Sequence, residues 1–253
     1  MRVAVVGGTG SVGALVVGEL VRRGDEVRIL SRSAPADLAP GTSHHAVDLT
    51  TGAGLAEALN RVEAVVDAVN DSSRKAGDVL VEGSKRLLAA EADAGVRHHV
   101  AISIVGCDRV PLGYYKTKVA QEQVVADSQI GWSLLRASQF HTLLAMLFAA
   151  TGRMRIVPTG KARIQPIEPG VVAKRLADAV HDGPGGRLPD IAGPEIRTLT
   201  ELAAAWREHS DRTLVPFRFP MIGPIGKPLR EGALCDPAAG AGGANFDEWL
   251  ASR

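Results

Sequence analysis

The sequence predicts an α/β fold, a doubly wound parallel sheet followed by a small irregular C-terminal lobe. Three observations carry that expectation. Short apolar runs such as Val3-Ala4-Val5-Val6, suited to strands buried on both faces, alternate with stretches of helical periodicity. A glycine-rich turn, Gly7-Gly8-Thr9-Gly10-Ser11-Val12-Gly13, joins the first run to the first helical stretch. From Asp211 onward, Pro216, Pro220, Pro224 and Pro228 recur every four residues and exclude a continuous helix there.

In chain order, the first helix is expected over 14–23, with Arg22 and Arg23 in its last turn and Gly24 placed for a left-handed closing conformation. Strands follow at 26–30, 44–47 and 64–69, the last interrupted by Asp67. A long helix over 79–94 ends at Gly95, strand five covers 100–105, a helix runs over 114–127, and strand six covers 132–136. Residues 143–150 read as core or lid. Short strands at 154–157 and 163–165 are separated by a turn at Pro158-Thr159-Gly160, and 167–181 reads as a helix and 187–192 as a strand. Thr198 or Thr200 caps a helix through Trp206, since Thr198-x-x-Glu201 has the form of a capping box. The remainder reads as irregular, with disorder around 238–244 and a final helix at 246–250 whose apolar residues dock on the body.

The glycines explain why the chain is organised this way. They fit two spacings, Gly8, Gly10 and Gly13 or Gly7, Gly10 and Gly13. Either gives positive φ where the turn needs it, backbone N–H groups that approach a pyrophosphate, and close packing of helix on strand. The helix N-terminus adds unpaired donors and a positive dipole end. A plain strand-to-helix turn is the alternative, but strand, turn, helix and position all match a dinucleotide loop.

Arg32 and Ser33 stand at the end of the second strand, about 20 residues past the loop, where an NAD site presents an acid to the ribose 2′-hydroxyl. Asp25 and Glu26 lie at the opposite end of that strand. Arg32, with the Ser33 hydroxyl, suits a 2′-phosphate and hence NADP(H), the alternative being a solvated loop arginine. Asp48 either accepts from the adenine amino group or caps the turn at Thr50-Thr51. Asn70, in the loop after strand four, either lines the cofactor or belongs to a polar connection. His44-His45 have no partner at ligand spacing, so no metal is expected.

Strand five carries Ser103, and Tyr114 and Lys118 lie four residues apart, sharing one face of a helix. A neighbouring ammonium lowers a tyrosine pKa from its usual value of about 10 by favouring phenolate. The rival reading is an ordinary surface helix with a Lys118/Glu122 pair. Tyr115 is the weaker candidate, because Val119 follows it four residues later. Phe140 could wall a pocket, and His141 reads first as a structural histidine.

Taken together, the glycine loop, Arg32, Ser103-Ile104-Val105-Gly106, Tyr114-Tyr115-x-x-Lys118 with Glu122, and the segment from Trp132 to His141 resemble the NmrA-like, atypical short-chain dehydrogenase/reductase proteins. The resemblance covers residues 1–210. It implies a Rossmann domain binding NADP(H), with Tyr114 as proton donor, Lys118 on the nicotinamide ribose, and Ser103 orienting a carbonyl.

Length fits a single domain, 1–253, with 1–150 mainly cofactor-binding and 151–253 contributing a substrate-side lobe. With 29 basic and 28 acidic side chains the net charge is +1, which leaves no footprint of a nucleic-acid or acidic-membrane binder and favours a small-molecule substrate. Cys107 and Cys235 are too few for a disulfide framework. The glycine-interrupted N-terminus is unlike a signal peptide and the longest apolar run, 143–150, is too short to span a bilayer, so a cytoplasmic protein is expected. Oligomeric state stays open, a homo-oligomer included. The functional expectation is an NADPH-dependent reductase of small carbonyl or quinone-like molecules. Its alternatives are a non-catalytic NADP(H)-sensing protein and a reductase of conjugated double bonds.

Overall fold

Arg2–Val6 form the first strand, β1, of a sheet in which, among the described residues, seven strands pair. The structure is a computed structural model and describes every residue except Arg74, Met221 and Ala241. The chain divides into two compact units. One comprises Met1–Ser103, Lys116–Leu135 and Val172–Leu188; the other comprises Ile104–Tyr115, Arg136–Val171 and Pro189–Arg253.

In the first unit β1 leads through the glycine turn into α1 (Gly13–Arg22) and β2 (Glu26–Ser31), and β3 (Thr42–Ala46) and the single turn α2 (Leu55–Ala58) follow. Next come β4 (Ala64–Asp67), a π-helical turn at Gly77–Glu82 continuing into α3 (Gly83–Ala94), β5 (His98–Ile104), α4 (Gly113–Ala126) and β6 (Gly131–Ala137). The chain then passes through α5 (His141–Gly152), β7 (Ile156–Thr159) and β8 (Arg163–Ile164), all in the second unit, before α6 (Pro169–Asp182) and the strand β9 (Gly186–Arg187), which pairs with β6.

The strand order is β3-β2-β1-β4-β5-β6-β9, and β1 pairs in parallel with both β2 and β4. The sequence therefore winds outward in both directions from the β1/β4 pair, which is the switch point where open α/β sheets hold ligands. Alternate residues of β1 serve the two faces. Ala4 and Val6 pack with Leu55, Leu59 and Leu87 of the α2/α3 layer, all buried. Each such Leu or Val contributes roughly 1.5–3 kcal/mol over an exposed one. Arg23, just past α1, pairs with Asp178 of α6 at 2.7 Å. Gly24 and Gly95 take positive φ after α1 and α3, as their positions in the sequence require.

The second unit adds β10 (Arg197–Thr198), α7 (Leu199–Glu208), β11 (Val215–Arg218), α8 (Gly223–Arg230) and α9 (Phe246–Ala251). Its core joins Leu144 and Phe148 of α5, Leu202 of α7, and Phe246 and Trp249 of α9. The capping box is present as expected: Glu201 N donates to Thr198 Oγ1 at 3.2 Å, and Thr198 N donates to Glu201 Oε2 at 2.6 Å.

Several expectations need correction here. Pro158 and Thr159 are not a turn; they belong to β7 and lie opposite Phe217 and Arg218 of β11. In a two-stranded sheet each strand keeps an unpaired edge, where a proline's missing N–H costs nothing. The strand expected from Met154 begins only at Ile156, because Arg155 takes a φ of 57°. The strand expected over 187–192 is reduced to Gly186–Arg187, with a separate bridge from Ala137 to Ile191. Pro224 and Pro228 both lie within α8, Pro224 in the first turn where no N–H partner is needed. The segment read as disordered contains a 3₁₀ turn at Pro237–Ala239, whose Ala239 carbonyl accepts from Ala192 N at 2.8 Å; Ala241 lies outside the described residues. One face of α5, with Leu144 and Phe148, is core, as read, while Leu143 and Met146 are 54% and 69% exposed.

Candidate functional site

The loop after β1 is tight because its glycines leave no room for anything else. Gly7 has a φ of 74°, and a Cβ there would lie 3.0 Å from the Ala68 carbonyl oxygen and 3.1 Å from Val69 N, in the loop after β4. A Cβ on Gly13 would stand 2.8 Å from the Gly7 carbonyl carbon and 2.9 Å from Gly8 Cα. Gly10 N donates to the Gly7 carbonyl at 2.9 Å and closes the turn. The loop thus presses the start of α1 onto the end of β1, leaving Thr9, Gly10 and Ser11 exposed.

At this helix start no side chain caps the backbone and no acid occupies the first turn. Among the described residues the N–H groups of Ser11 and Val12 have no hydrogen-bond partner. Unpaired donors at a positive dipole end, beneath glycines that admit close approach, are what a pyrophosphate requires. The residues present therefore fit a dinucleotide.

Arg32 and Ser33 follow β2 directly and are exposed, at the strand end that also carries the glycine loop on β1. Asp48 is held below the usual carboxylate range by hydrogen bonds from the Thr50 side chain and backbone, at 2.7 and 2.8 Å, with a further Coulombic share from Arg32. Of its two alternatives, the turn contact is thus present. Asp71 is likewise lowered, first by Ser73 and then by Arg32. The Arg32 charge is thus felt at both of these loops. Asn70 is exposed in the loop after β4.

Ser103 is buried near the end of β5. Tyr114 and Lys118 lie on successive turns of α4, as their spacing requires. The Tyr114 and Tyr115 rings sit 5.5 Å apart, and burial pushes the Tyr115 phenol up to about 12, which makes it the weaker acid and keeps it from serving as a phenolate base near neutral pH. Lys118 is only 3% exposed; its Nζ donates to the Ile102 carbonyl at 3.0 Å and to Gln121 Oε1 at 2.5 Å. Gln121, Asp67 and Ser84 complete a buried polar group around that amine that the sequence did not reveal. Their separations of 54 and 37 residues from Gln121 leave no local spacing to find.

His141 is structural. It is fully buried, its Nε2 bonds the Ala244 carbonyl at 3.0 Å, and its ring packs at 5.4 Å from Trp249. Burial lowers its pKa, which keeps the imidazole neutral. Phe140, half-buried, is the N-cap residue of α5. Among the described residues no group of three or more His, Cys, Asp or Glu side chains could hold a metal, and Cys107 and Cys235 are both buried.

Comparison with known proteins agrees with this geometry. A family model described as NAD(P)H-binding matches residues 7–182. Quinone oxidoreductase 2 of Escherichia coli (strain K12) is 28% identical over 225 residues, covering 83% of this chain and 75% of that protein. The crystal structure of an NADPH-dependent quinone oxidoreductase from Escherichia coli, complexed with NADPH, superposes with a TM-score of 0.83 at 20% identity and covers 99% of both chains. A nucleoside-diphosphate-sugar epimerase from Staphylococcus aureus superposes with a TM-score of 0.80 at 16% identity, again over 99% of both chains. The doubly wound fold expected from the sequence, and its short-chain dehydrogenase/reductase resemblance, are borne out. Among the described residues no helix is long and apolar enough to cross a membrane.

Proposed function

The chain belongs to the NAD(P)H-binding family, as an NAD(P)H-dependent oxidoreductase of the short-chain dehydrogenase/reductase type, and on that footing we propose that it reduces a small quinone-like or carbonyl substrate with NADPH. The observation that carries the reading is the uncapped glycine turn at the β1/β4 switch point, with Arg32 rather than an acid after β2. The quinone preference draws on the named activity of the relative from Escherichia coli.

In this proposal the unpaired N–H groups of Ser11 and Val12 bind the pyrophosphate, and Arg32 and Ser33 form charge-assisted bonds to the 2′-phosphate. When bound, the dinucleotide supplies the hydride. The Lys118 ammonium holds the nicotinamide ribose hydroxyls and favours the phenolate form of Tyr114. Tyr114 Oη gives its proton to the substrate oxygen as charge develops there, and Ser103 Oγ orients that oxygen. Asp48 and Asn70 line the adenosine and nicotinamide ends respectively. The cofactor role of the first unit, the substrate-side role of the second and a cytoplasmic location belong to the same proposal.

A crystal structure with NADP⁺ and a small quinone tests it. The proposal requires the pyrophosphate on residues 10–13, the 2′-phosphate on Arg32, and Tyr114 Oη within about 3 Å of a substrate oxygen. A 2′-phosphate remote from Arg32, or a Tyr114 hydroxyl turned away from the substrate, would refute the corresponding assignment.

A further inference from the structure

The amine of Lys118 is set by a buried amide whose orientation the surrounding charges dictate. Gln121 is 4% exposed, Asp67 2% and Ser84 1%. Gln121 Nε2 donates to Asp67 Oδ2 at 3.2 Å and to Ser84 Oγ at 3.1 Å, while Gln121 Oε1 accepts from Lys118 Nζ at 2.5 Å. A carboxylate only accepts and an ammonium only donates, so a single orientation of the amide satisfies both. The flipped amide would set N–H against ammonium and carbonyl against carboxylate.

Asp67 is itself fixed. Its Oδ1 accepts from Val69 N at 3.0 Å, the same N–H that lies 3.1 Å from where a Cβ on Gly7 would stand. One carboxylate thus holds both the loop packed on the first glycine and the amide that faces Lys118. A lysine has a flexible four-carbon stem, and here its head is tied to the Ile102 carbonyl and to Gln121.

We propose that Gln121 is a positioning residue, which Asp67 and Ser84 orient so that it aims the Lys118 ammonium at the nicotinamide ribose. The inference rests on the reading of Lys118 as the residue that binds that ribose. It makes the pyrophosphate turn and the ribose-binding lysine two ends of one buried network anchored on β4.

A double-mutant cycle on the full chain separates positioning from mere structural support. NADPH affinity is read by fluorescence titration for Gln121→Met, Lys118→Met and the double variant, with thermal midpoints measured alongside. Gln121→Met is expected to weaken NADPH binding about tenfold when Lys118 is present, the scale of a lost hydrogen bond to a charged group, and to change nothing in the Lys118→Met background. Ser84→Ala removes only a hydroxyl, so it keeps the test open should Gln121→Met not fold; it should weaken binding roughly twofold with Lys118 and not without it. Equal losses in both backgrounds, or no loss in either, overturn the positioning role. A Lys118→Met protein that binds and turns over NADPH like the parent overturns the ribose assignment itself, and the inference with it.

Discussion

The start of α1 touches the end of β1 through Gly13 and Gly7, so closely that a Cβ on Gly13 would stand 2.8 Å from the Gly7 carbonyl carbon. Backbone on both sides leaves nothing flexible to move aside. Gly13→Ala should therefore destabilise the fold by about 1–3 kcal/mol, seen as a lowered denaturant midpoint. At Gly10 a Cβ would meet only the Gly7 carbonyl oxygen, at 3.1 Å, on the exposed side of the turn. Gly10→Ala should leave the midpoint nearly unchanged and weaken NADPH binding at least about tenfold, because the new methyl occupies the approach to the N–H groups. Unchanged NADPH affinity in Gly10→Ala would place the pyrophosphate elsewhere.

Arg32 separates the two nicotinamide dinucleotides. Removing a charge-assisted contact to a phosphate costs about 1.5–3 kcal/mol, or roughly 10–100-fold in affinity. Arg32→Ala should show that loss for NADPH and leave NADH binding within about twofold. Calorimetric titration of both cofactors decides it, and equal changes for the two would assign Arg32 to the solvated loop.

Tyr114 and Tyr115 are adjacent but unequal, since burial holds the Tyr115 phenol protonated up to about 12. Tyr114→Phe should lower turnover by about 10²–10⁴ while NADPH affinity stays near that of the parent. Tyr115→Phe should cost little turnover. Steady-state rates on the two variants reverse the assignment if Tyr115→Phe is the inactive one.

Between α3 and β5, Glu91 and His99 form a pair at 2.9 Å, both fully buried. Burial raises the Glu91 carboxyl. Burial works to lower the His99 imidazole, but the charge and hydrogen bond of Glu91, with Asp67 behind them, raise it above its ordinary value. Both folded groups therefore hold protons more tightly than the unfolded chain, whose values are about 4.3 and 6.5. The histidine's contribution is complete below about pH 6.5 and is lost as pH rises through its elevated folded value. Thermal midpoints should fall from pH 6 to pH 9 more steeply in the parent than in a Glu91→Leu/His99→Leu variant. A parent curve no steeper than the variant's contradicts the raised proton affinity of His99.

The sequence revealed the parts of this molecule whose physics is local. Gly7, Gly24 and Gly95 have the positive φ that their places demand, and Thr198 with Glu201 makes the reciprocal cap. Tyr114 and Lys118 could be paired because a helix fixes what lies four residues away. Pro158 was misread because a proline signals a turn only when its N–H would otherwise be needed, and β7 has an unpaired edge. Gln121, Ser84 and Asp67 were invisible because they belong to α4, α3 and β4 and meet only after the sheet has assembled. Asp67 read merely as a break in a strand, although its burial among partners is what permits a charge there.

The most direct measurement of the central claim is a single-turnover reaction of the full chain with NADPH and a small quinone under anaerobic conditions, followed by stopped flow. The account predicts rapid, saturable oxidation of bound NADPH, at least about tenfold slower with NADH at equal concentration and nearly abolished in Tyr114→Phe. NADPH that binds tightly but is oxidised no faster than in the absence of the protein, across quinones and small carbonyls alike, would contradict it and leave a nicotinamide-binding protein without reductase chemistry.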